Sequence, residues 1–284
     1  RFPTSKDLTG SDAIHTDPDY SATYVTAYTD DNNLKGYGIA FTIGKGNDIV
    51  ADCIKHYFPI FEKMSLDDLE NDIGKLWFSC VDHSQLRWLG PEKGVVHMAV
   101  AAIFNCLWDL IAKKNQKPLW KFIVESEPEK ILSWLTFKYI EDVLSPDEAL
   151  EILKSNQVEK NKRIKTIIDE GYPSYTTAAG WLGYSDDKII ELCNQYKSLG
   201  WKHFKIKVGL DLEADVKRLE LIRKTIGNDC FIMVDANQQW NVEQSIKHIN
   251  AYKKFDLFFV EEPTSPDDVL GFVKIKKEVG NVRL

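Results

Sequence analysis

The sequence predicts an α/β protein, with an N-terminal α+β region followed by a parallel sheet whose strands are joined by helical crossovers. Three observations carry this expectation. A hairpin pattern opens the chain and helical periodicities follow it. From about Gly171 strand and helix patterns alternate. Strands in that second part recur every 26 to 28 residues. Such alternation is the pattern of parallel strands with crossover helices.

The elements follow in order. Ala22 to Thr29 alternates and is rich in aromatic and β-branched residues; a turn-like DDNNLKG and then YGIAFTI complete a strand–loop–strand pattern. Val95–Lys113 places Val95, Met98, Ala99, Ala102, Ile103, Cys106, Leu110 and Ile111 on a broad apolar face, with Pro118 as a stop signal beyond it. Residues 131–170 read as a charged connector, and 154–165 within it as a solvated helix or loop. SYTTAAG (174–180) is a short strand candidate. A helix over 186–199 has Ser185 as N-cap and Gly200 as stop. Strands are expected at 203–209, 230–237 and 257–263. Between and after them come helices over 213–226, over 242–253 with Asn241 as cap, and one capped by Ser265 with Pro266 at its first position. Two architectures fit this alternation, a (β/α)₈ barrel and an open doubly wound sheet. No G-x-G-x-x-G follows the first strand, so the dinucleotide-binding form of the latter loses its main support.

Composition narrows the classes. The chain has 284 residues, 44% hydrophobic and 28% charged, and a formal net charge of −7. Disorder, collagen and coiled coil are excluded as the main state. A chain of this length buries roughly three quarters of its unfolded surface and needs no disulfide or structural zinc. The acidic balance argues against nucleic acid as a partner. The apolar stretch 95–112 contains His97, Asn105 and Asp109, so it reads as a buried helix and no membrane partner is expected. No basic–apolar segment opens the sequence as given. Cys53, Cys80, Cys106, Cys193 and Cys230 are scattered, as expected of core thiols in a reducing compartment, the cytoplasm or the mitochondrial matrix.

The chemistry is expected where parallel strands end. Lys205 and Lys207 are i and i+2 and point to one side of their strand. Mutual repulsion and lost solvent would both depress a lysine pKa there and make one a candidate base. The bland alternative is a K-x-K on an exposed edge strand. Asp235 and Glu261 each close an apolar run, and the steps from Lys207 to Asp235 and on to Glu261 are 28 and 26 residues. One βα unit per step brings these groups to adjacent positions on one rim. Two carboxylates there can hold Mg²⁺, which prefers oxygen ligands and keeps positions open for substrate. The alternative is a structural cluster of ion pairs. None of His15, His56, His83, His97, His203 and His248 falls at a strand's rim end.

K-I-K-V, V-D-A-N and V-E-E-P on successive strands resemble the enolase superfamily, in particular its mandelate-racemase-like and muconate-cycloisomerase-like acid-sugar dehydratases. GSDAIHTDPDYSATYV (10–25), FTIGKGND (41–48), QLRWLGPEKGVVHMA (85–99), GYPSYTTAAGWLGYSD (171–186) and EEPTSPDDVLG (261–271) narrow the resemblance to the L-fuconate dehydratases and their eukaryotic relatives. It runs along essentially the whole chain. The resemblance implies a capping domain over 1–130, the connector over 131–170, and the first half of a (β/α) TIM-type barrel over 171–284. It implies Asp235 and Glu261 as two of three Mg²⁺ ligands, Lys207 as acid/base, and Lys205 beside it on the substrate. Gly10, Ser11, Asp12 and Tyr20 would lie on a mobile capping loop over the sugar acid, and Asn237 and Glu262 in the surrounding polar shell. The implied reaction is Mg²⁺-dependent dehydration of L-fuconate or a close acid sugar to the 2-keto-3-deoxy acid, by a subunit that forms homo-oligomers. A full barrel needs more chain than is present, so the sequence reads as part of a longer protein. The alternative reading is a truncated, non-catalytic relative that serves as a structural or binding subunit.

Overall fold

The structure is a computed structural model that describes residues 1–31 and 33–284. Its chain contacts divide into two compact units. One comprises Arg1 and Tyr20–Gly171; the other comprises Phe2–Asp19 and Tyr172–Leu284.

The first unit opens with an antiparallel hairpin of β1 (Ser21–Tyr28) and β2 (Lys35–Thr42), in register from Ser21↔Thr42 to Tyr28↔Lys35. Alternation turns Ser21, Thr23 and Val25 inward with Gly36, Gly38 and Ala40 of β2. Helices follow: α1 (Asn47–Phe61), α2 (Leu66–Val81), α3 (Val95–Lys114), α4 (Leu119–Glu125), α5 (Pro128–Ser133), α6 (Pro146–Ser155) and α7 (Lys160–Glu170). α3 is apolar around much of its circumference, and eleven of its twenty residues are buried. Its length and mean hydropathy of 1.8 are enough to cross a membrane. In the structure it is the central helix of this unit's core, with Val50, Tyr57, Ile73 and Phe122 around it. β2 lies so close to α3 that a Cβ on Gly38 would stand 1.9 Å from the Ala102 carbonyl oxygen, so only glycine permits the approach. The charged connector is helical, and α7 buries no residue.

In the second unit α8 (Asp186–Ser198), β3 (His203–Lys207), α9 (Leu212–Ile226), β4 (Phe231–Asp235), α10 (Val242–Tyr252), β5 (Leu257–Glu261) and α11 (Val269–Val279) alternate. The sheet is parallel in the order β3-β4-β5, the α/β arrangement expected of part of a barrel wall. One face packs Phe204, Ile206, Ile232, Val234 and Val260 against Ile189, Leu219, Ile222, Ile249 and Ile275 of the crossover helices. Each such fully buried side chain contributes roughly 1.5–3 kcal/mol. Ser185, Asp211 and Asn241 cap α8, α9 and α10 through their side chains.

Several sequence expectations need correction. The strand expected at 174–180 shrinks to one bridge, Thr176↔Phe204. Its backbone pairs with β3 at Thr176 and again where Lys207 N–H donates to Gly180 O at 2.8 Å, with a turn between. At the other edge of the sheet, Arg283 O accepts from Val260 N–H at 2.9 Å. The cap of α11 is Asp268, which accepts from Gly271 N–H; Ser265 and Pro266 form the turn before it. Finally, Phe2–Asp19 packs with the second unit rather than with the hairpin that follows it in sequence.

Candidate active site

The registers Lys205↔Met233↔Phe259 and Lys207↔Asp235↔Glu261 put lysines and carboxylates on the sheet face opposite the helices, at the C-terminal ends of the strands. The side chains converge there. Lys207 Nζ donates to Asp235 Oδ2 at 2.6 Å and to Asn237 Oδ1 at 2.9 Å. Lys205 Nζ donates to Glu261 Oε2 at 2.6 Å and lies 3.4 Å from Asp235 Oδ2. Both lysines and Asp235 are buried; Glu261 is the more open group, with 38% of its side chain exposed.

The expected depression of the lysine pKa does not hold for Lys205. Burial acts downward on its ammonium. Hydrogen bonding to Glu261 and Tyr175 and the charges of Glu261 and Asp235 outweigh that effect, and the pKa rises above its ordinary value. The expectation counted the repulsion between the two ammoniums and omitted the two carboxylates that the same registers deliver.

Asp235 and Glu261 are the residues whose donor chemistry would suit a divalent cation. Both present hard oxygen donors, and both carboxylates already face one positive charge, the Lys205 ammonium, which stands where a shared cation's charge would be felt. Among the described residues no group of three or more His, Cys, Asp or Glu side chains is placed to hold a metal. Two carboxylates with open positions suffice for Mg²⁺, which is usually held by one or two carboxylates together with water and substrate oxygens.

Trp181, Tyr175 and Gln238 at this rim escaped the sequence reading, whereas Asn237 and Glu262 were expected in its polar shell. The Trp181 ring centroid lies 5.7 Å from Lys207 Nζ, and that of Tyr175 lies 4.6 Å from Lys205 Nζ. Asn237, Gln238 and Glu262 adopt left-handed backbone conformations, with φ of 49°, 65° and 46°. Gln238 N–H donates to Glu262 O at 2.8 Å and its amide to Glu262 Oε1 at 3.1 Å, which ties together the turns after β4 and β5. Buried Asp215 accepts from Gly209 N–H at 2.8 Å and from Tyr252 OH at 3.1 Å. It thereby fixes the turn two residues beyond Lys207, and burial raises its pKa. Arg218 Nη1 donates to Trp181 O at 3.3 Å. Asp215 and Arg218 sit inside an ordinary amphipathic helix pattern, so nothing in their spacing marked them.

The loop residues divide between the units. Gly10 (φ 87°), Ser11 and Asp12 are buried in the second unit. Ala13 packs against Gly209, where a Cβ would approach to 3.1 Å, and Leu182 N–H donates to Ser11 O at 3.1 Å. This segment therefore lies beside the C-terminal end of β3. Ser11 Oγ donates to Thr16 O at 2.9 Å. Asp12 Oδ1 accepts from the N–H groups of Ile14 and His15 at 2.8 and 2.6 Å, and His15 Nδ1 stands 3.1 Å from Asp12 Oδ2. In this conformation the Asp12 carboxylate shapes its own loop. Tyr20 belongs to the first unit, where its ring stands edge-on to Phe41 at 4.9 Å.

Known proteins resemble this chain along its length. Residues 188–284 match the enolase C-terminal domain-like family. The chain is 44% identical to the L-galactonate dehydratase of Hypocrea jecorina over 97% of its own length and 62% of that protein. The crystal structure of human mitochondrial enolase superfamily member 1 superposes with a TM-score of 0.95 at 46% identity, over 98% of this chain and 64% of that one. A racemase from Streptomyces coelicolor with bound magnesium shares the fold, with a TM-score of 0.70 at 24% identity, over 95% of this chain and 62% of that one. The chain spans 62–64% of the length of the curated relatives that it matches at 44% identity or better. The motifs at the ends of β3, β4 and β5 and the described fold resemble those of the enolase superfamily, whose C-terminal domain-like family matches residues 188–284.

Proposed function

We propose that the protein of which these residues form the described part is an Mg²⁺-dependent acid-sugar dehydratase. L-Fuconate, or a close five- or six-carbon sugar acid such as L-galactonate, is the proposed substrate. The observation that carries this reading is the single rim layer in which Lys207–Asp235, Asp235–Lys205 and Lys205–Glu261 contacts of 2.6–3.4 Å link the four side chains in a row. A proton next to a carboxylate is weakly acidic because its removal builds a second negative charge. Mg²⁺ held by Asp235 and Glu261 would supply stabilisation of that developing charge. Lys205, with its ammonium form favoured, holds a substrate carboxylate by charge-assisted hydrogen bonding. Lys207 in its neutral amine form takes the proton from the α-carbon, its Nζ leaving Asp235 Oδ2 to do so. The β-hydroxyl departs as water by taking up the proton that Lys207 has removed, and the resulting enol becomes the 2-keto-3-deoxy acid. Trp181 and Tyr175 exclude water from the flanks of the two ammoniums. The buried thiols suit a reducing site, the mitochondrial matrix or the cytoplasm.

The test is a sugar-acid library containing L-fuconate and L-galactonate, with semicarbazide detection of the keto product, with and without EDTA. Turnover is expected with Mg²⁺ alone, and Lys207→Ala should lower it by about 10²–10⁴-fold. Full activity in EDTA or in Lys207→Ala overturns the mechanism. No turnover of any acid sugar, with Mg²⁺ binding intact, favours a non-catalytic subunit.

A further inference from the structure

The chain on both sides of the Lys207 ammonium is held by side chains that never touch it. Beyond β3, Gly209 has both of its backbone groups fixed: its N–H donates to Asp215 Oδ2 at 2.8 Å, and its carbonyl oxygen accepts from Trp240 Nε1 at 3.3 Å. Its φ of 126° is one that L side chains rarely adopt, so the backbone leaves the strand on a single path. On the flank, Gly180 O accepts from Lys207 N–H at 2.8 Å, and the next residue, Trp181, sets its ring centroid 5.7 Å from Lys207 Nζ. Arg218 Nη1 donates to Trp181 O at 3.3 Å. Asp215 and Arg218 lie one turn apart on α9, with Arg218 Nη2 3.8 Å from Asp215 Oδ1. Tyr252 of α10, fully buried, donates to Asp215 Oδ2 at 3.1 Å.

We infer that Asp215 and Arg218 are positioning residues for proton transfer, which rests on the role proposed for Lys207. Asp215 sets the backbone just beyond Lys207, and Arg218 sets the segment that carries Trp181 over its ammonium. Two observations separate this from ordinary packing. First, a buried charge pair is often replaced by apolar side chains of the same volume without loss of stability, so folding alone does not call for one here. Arg218 Nη2 is buried and has no hydrogen-bond acceptor among the described residues. Second, α9 carries another arginine that does what a fold requires. Arg223 Nη1 donates to Gly227 O at 2.9 Å and to Cys230 O at 2.7 Å, and its Nη2 to Phe255 O at 2.7 Å. Those carbonyls lie where β4 and β5 begin, at the end of the sheet away from the lysines. One helix thus ties both ends of the sheet, with the looser and less saturated clamp at the chemical end.

Steady-state kinetics of the whole protein on its sugar acid tests this. Arg218→Met should lower kcat about 10–10²-fold, the cost of a misplacement on the order of 1 Å, with KM and Mg²⁺ affinity unchanged and the circular dichroism spectrum intact. Asp215→Asn should act in the same direction; Tyr252→Phe, which removes one hydroxyl from Asp215, serves if that variant does not fold. Arg223→Met should lose more stability than Arg218→Met and keep the wild-type kcat per folded molecule. In a Lys207→Ala background Arg218→Met should cost less than about twofold, because its effect runs through the missing amine. Equal losses in both backgrounds overturn the inference. So does an unchanged kcat in Arg218→Met, or a loss in Arg223→Met as large as that in Arg218→Met. If the wild-type protein turns over no acid sugar, the proposed reaction falls and the crystal structure of Arg218→Met decides the positioning role. A shift of about 1 Å or more in the Trp181 ring or Lys207 Nζ supports it, and both groups unmoved overturns it.

Discussion

The two faces of the sheet β3-β4-β5 are made by the same fifteen backbone positions and do opposite work. On one face Phe204, Ile206, Ile232, Val234 and Val260 are buried to the last atom among helix side chains. On the other, in alternate positions, stand Lys205, Lys207, Met233, Asp235, Phe259 and Glu261. A strand's period of two lets one residue step separate stability from chemistry. The apolar face fixes strand register, and register alone brings Lys207, Asp235 and Glu261 level. The charged face is thus positioned by residues that never touch it, and substitutions on the two faces should read out differently.

The largest effect is expected on the apolar face. Phe204→Ala removes a fully buried ring from β3 and should cost about 3–5 kcal/mol in denaturant unfolding. A loss below 1 kcal/mol would mean that this face is not the framework of the unit. Next comes Asp235→Asn. It leaves the Lys205 and Lys207 ammoniums buried beside an amide in place of their shared carboxylate, at about 3 kcal/mol. It should also abolish Mg²⁺ binding in a calorimetric titration. If Asp235→Asn is neutral in both measurements, the charged face is not a coupled cluster.

How much of this contrast was legible in the sequence depends on how local its causes are. The alternation in HFKIK and FIMVD, and the equal spacing between strand ends, placed Lys207, Asp235 and Glu261 on one rim before any coordinates. Caps at Ser185 and Asn241 depend on the next three residues and are readable for that reason. Ser265 looked like a cap with Pro266 behind it, but the chain needs that turn to leave β5, and the helix starts at Asp268. The pKa direction at Lys205 depends on two carboxylates 30 and 56 residues away, so sequence neighbours pointed to the wrong sign. Likewise Phe2–Asp19 packs beside Gly209, far along the chain, and no local pattern announces such a contact. Asp215 and Trp181 were missed because their partners are a backbone N–H and an ammonium supplied by other segments.

A smaller effect separates the faces by pH. Lys205 has its pKa raised above the ordinary 10.5. Below that value the lysine is protonated in both the folded and the unfolded chain, and its contribution to stability is fully present. As pH climbs beyond 10.5 the unfolded chain loses the proton first, so the contribution falls away as the folded pKa is approached. Wild-type stability should therefore decline above about pH 10.5 more steeply than that of Lys205→Met. Parallel slopes for the two proteins would show that the ion pairs with Glu261 and Asp235 do not persist in solution.

The smallest stability change is expected at Glu261→Gln, and it sharpens the contrast within the charged face itself. Glu261 pairs with Lys205 at 2.6 Å, as closely as Asp235 pairs with Lys207. Distance alone would make the two carboxylates equal. Glu261, however, has 38% of its side chain in water against 3% for Asp235, so solvent screens its pair and can replace the lost contact. A glutamine there also still offers an oxygen to the Lys205 ammonium. The unfolding free energy should fall by no more than ~1 kcal/mol, the range of exposed ion pairs. Mg²⁺ affinity should fall by at least tenfold, because the charge of one carboxylate donor is gone. A stability loss as large as that of Asp235→Asn would show that depth along the strand ends does not grade the cluster. An unchanged Mg²⁺ affinity would remove Glu261 from the metal site and leave it as Lys205's counter-charge alone.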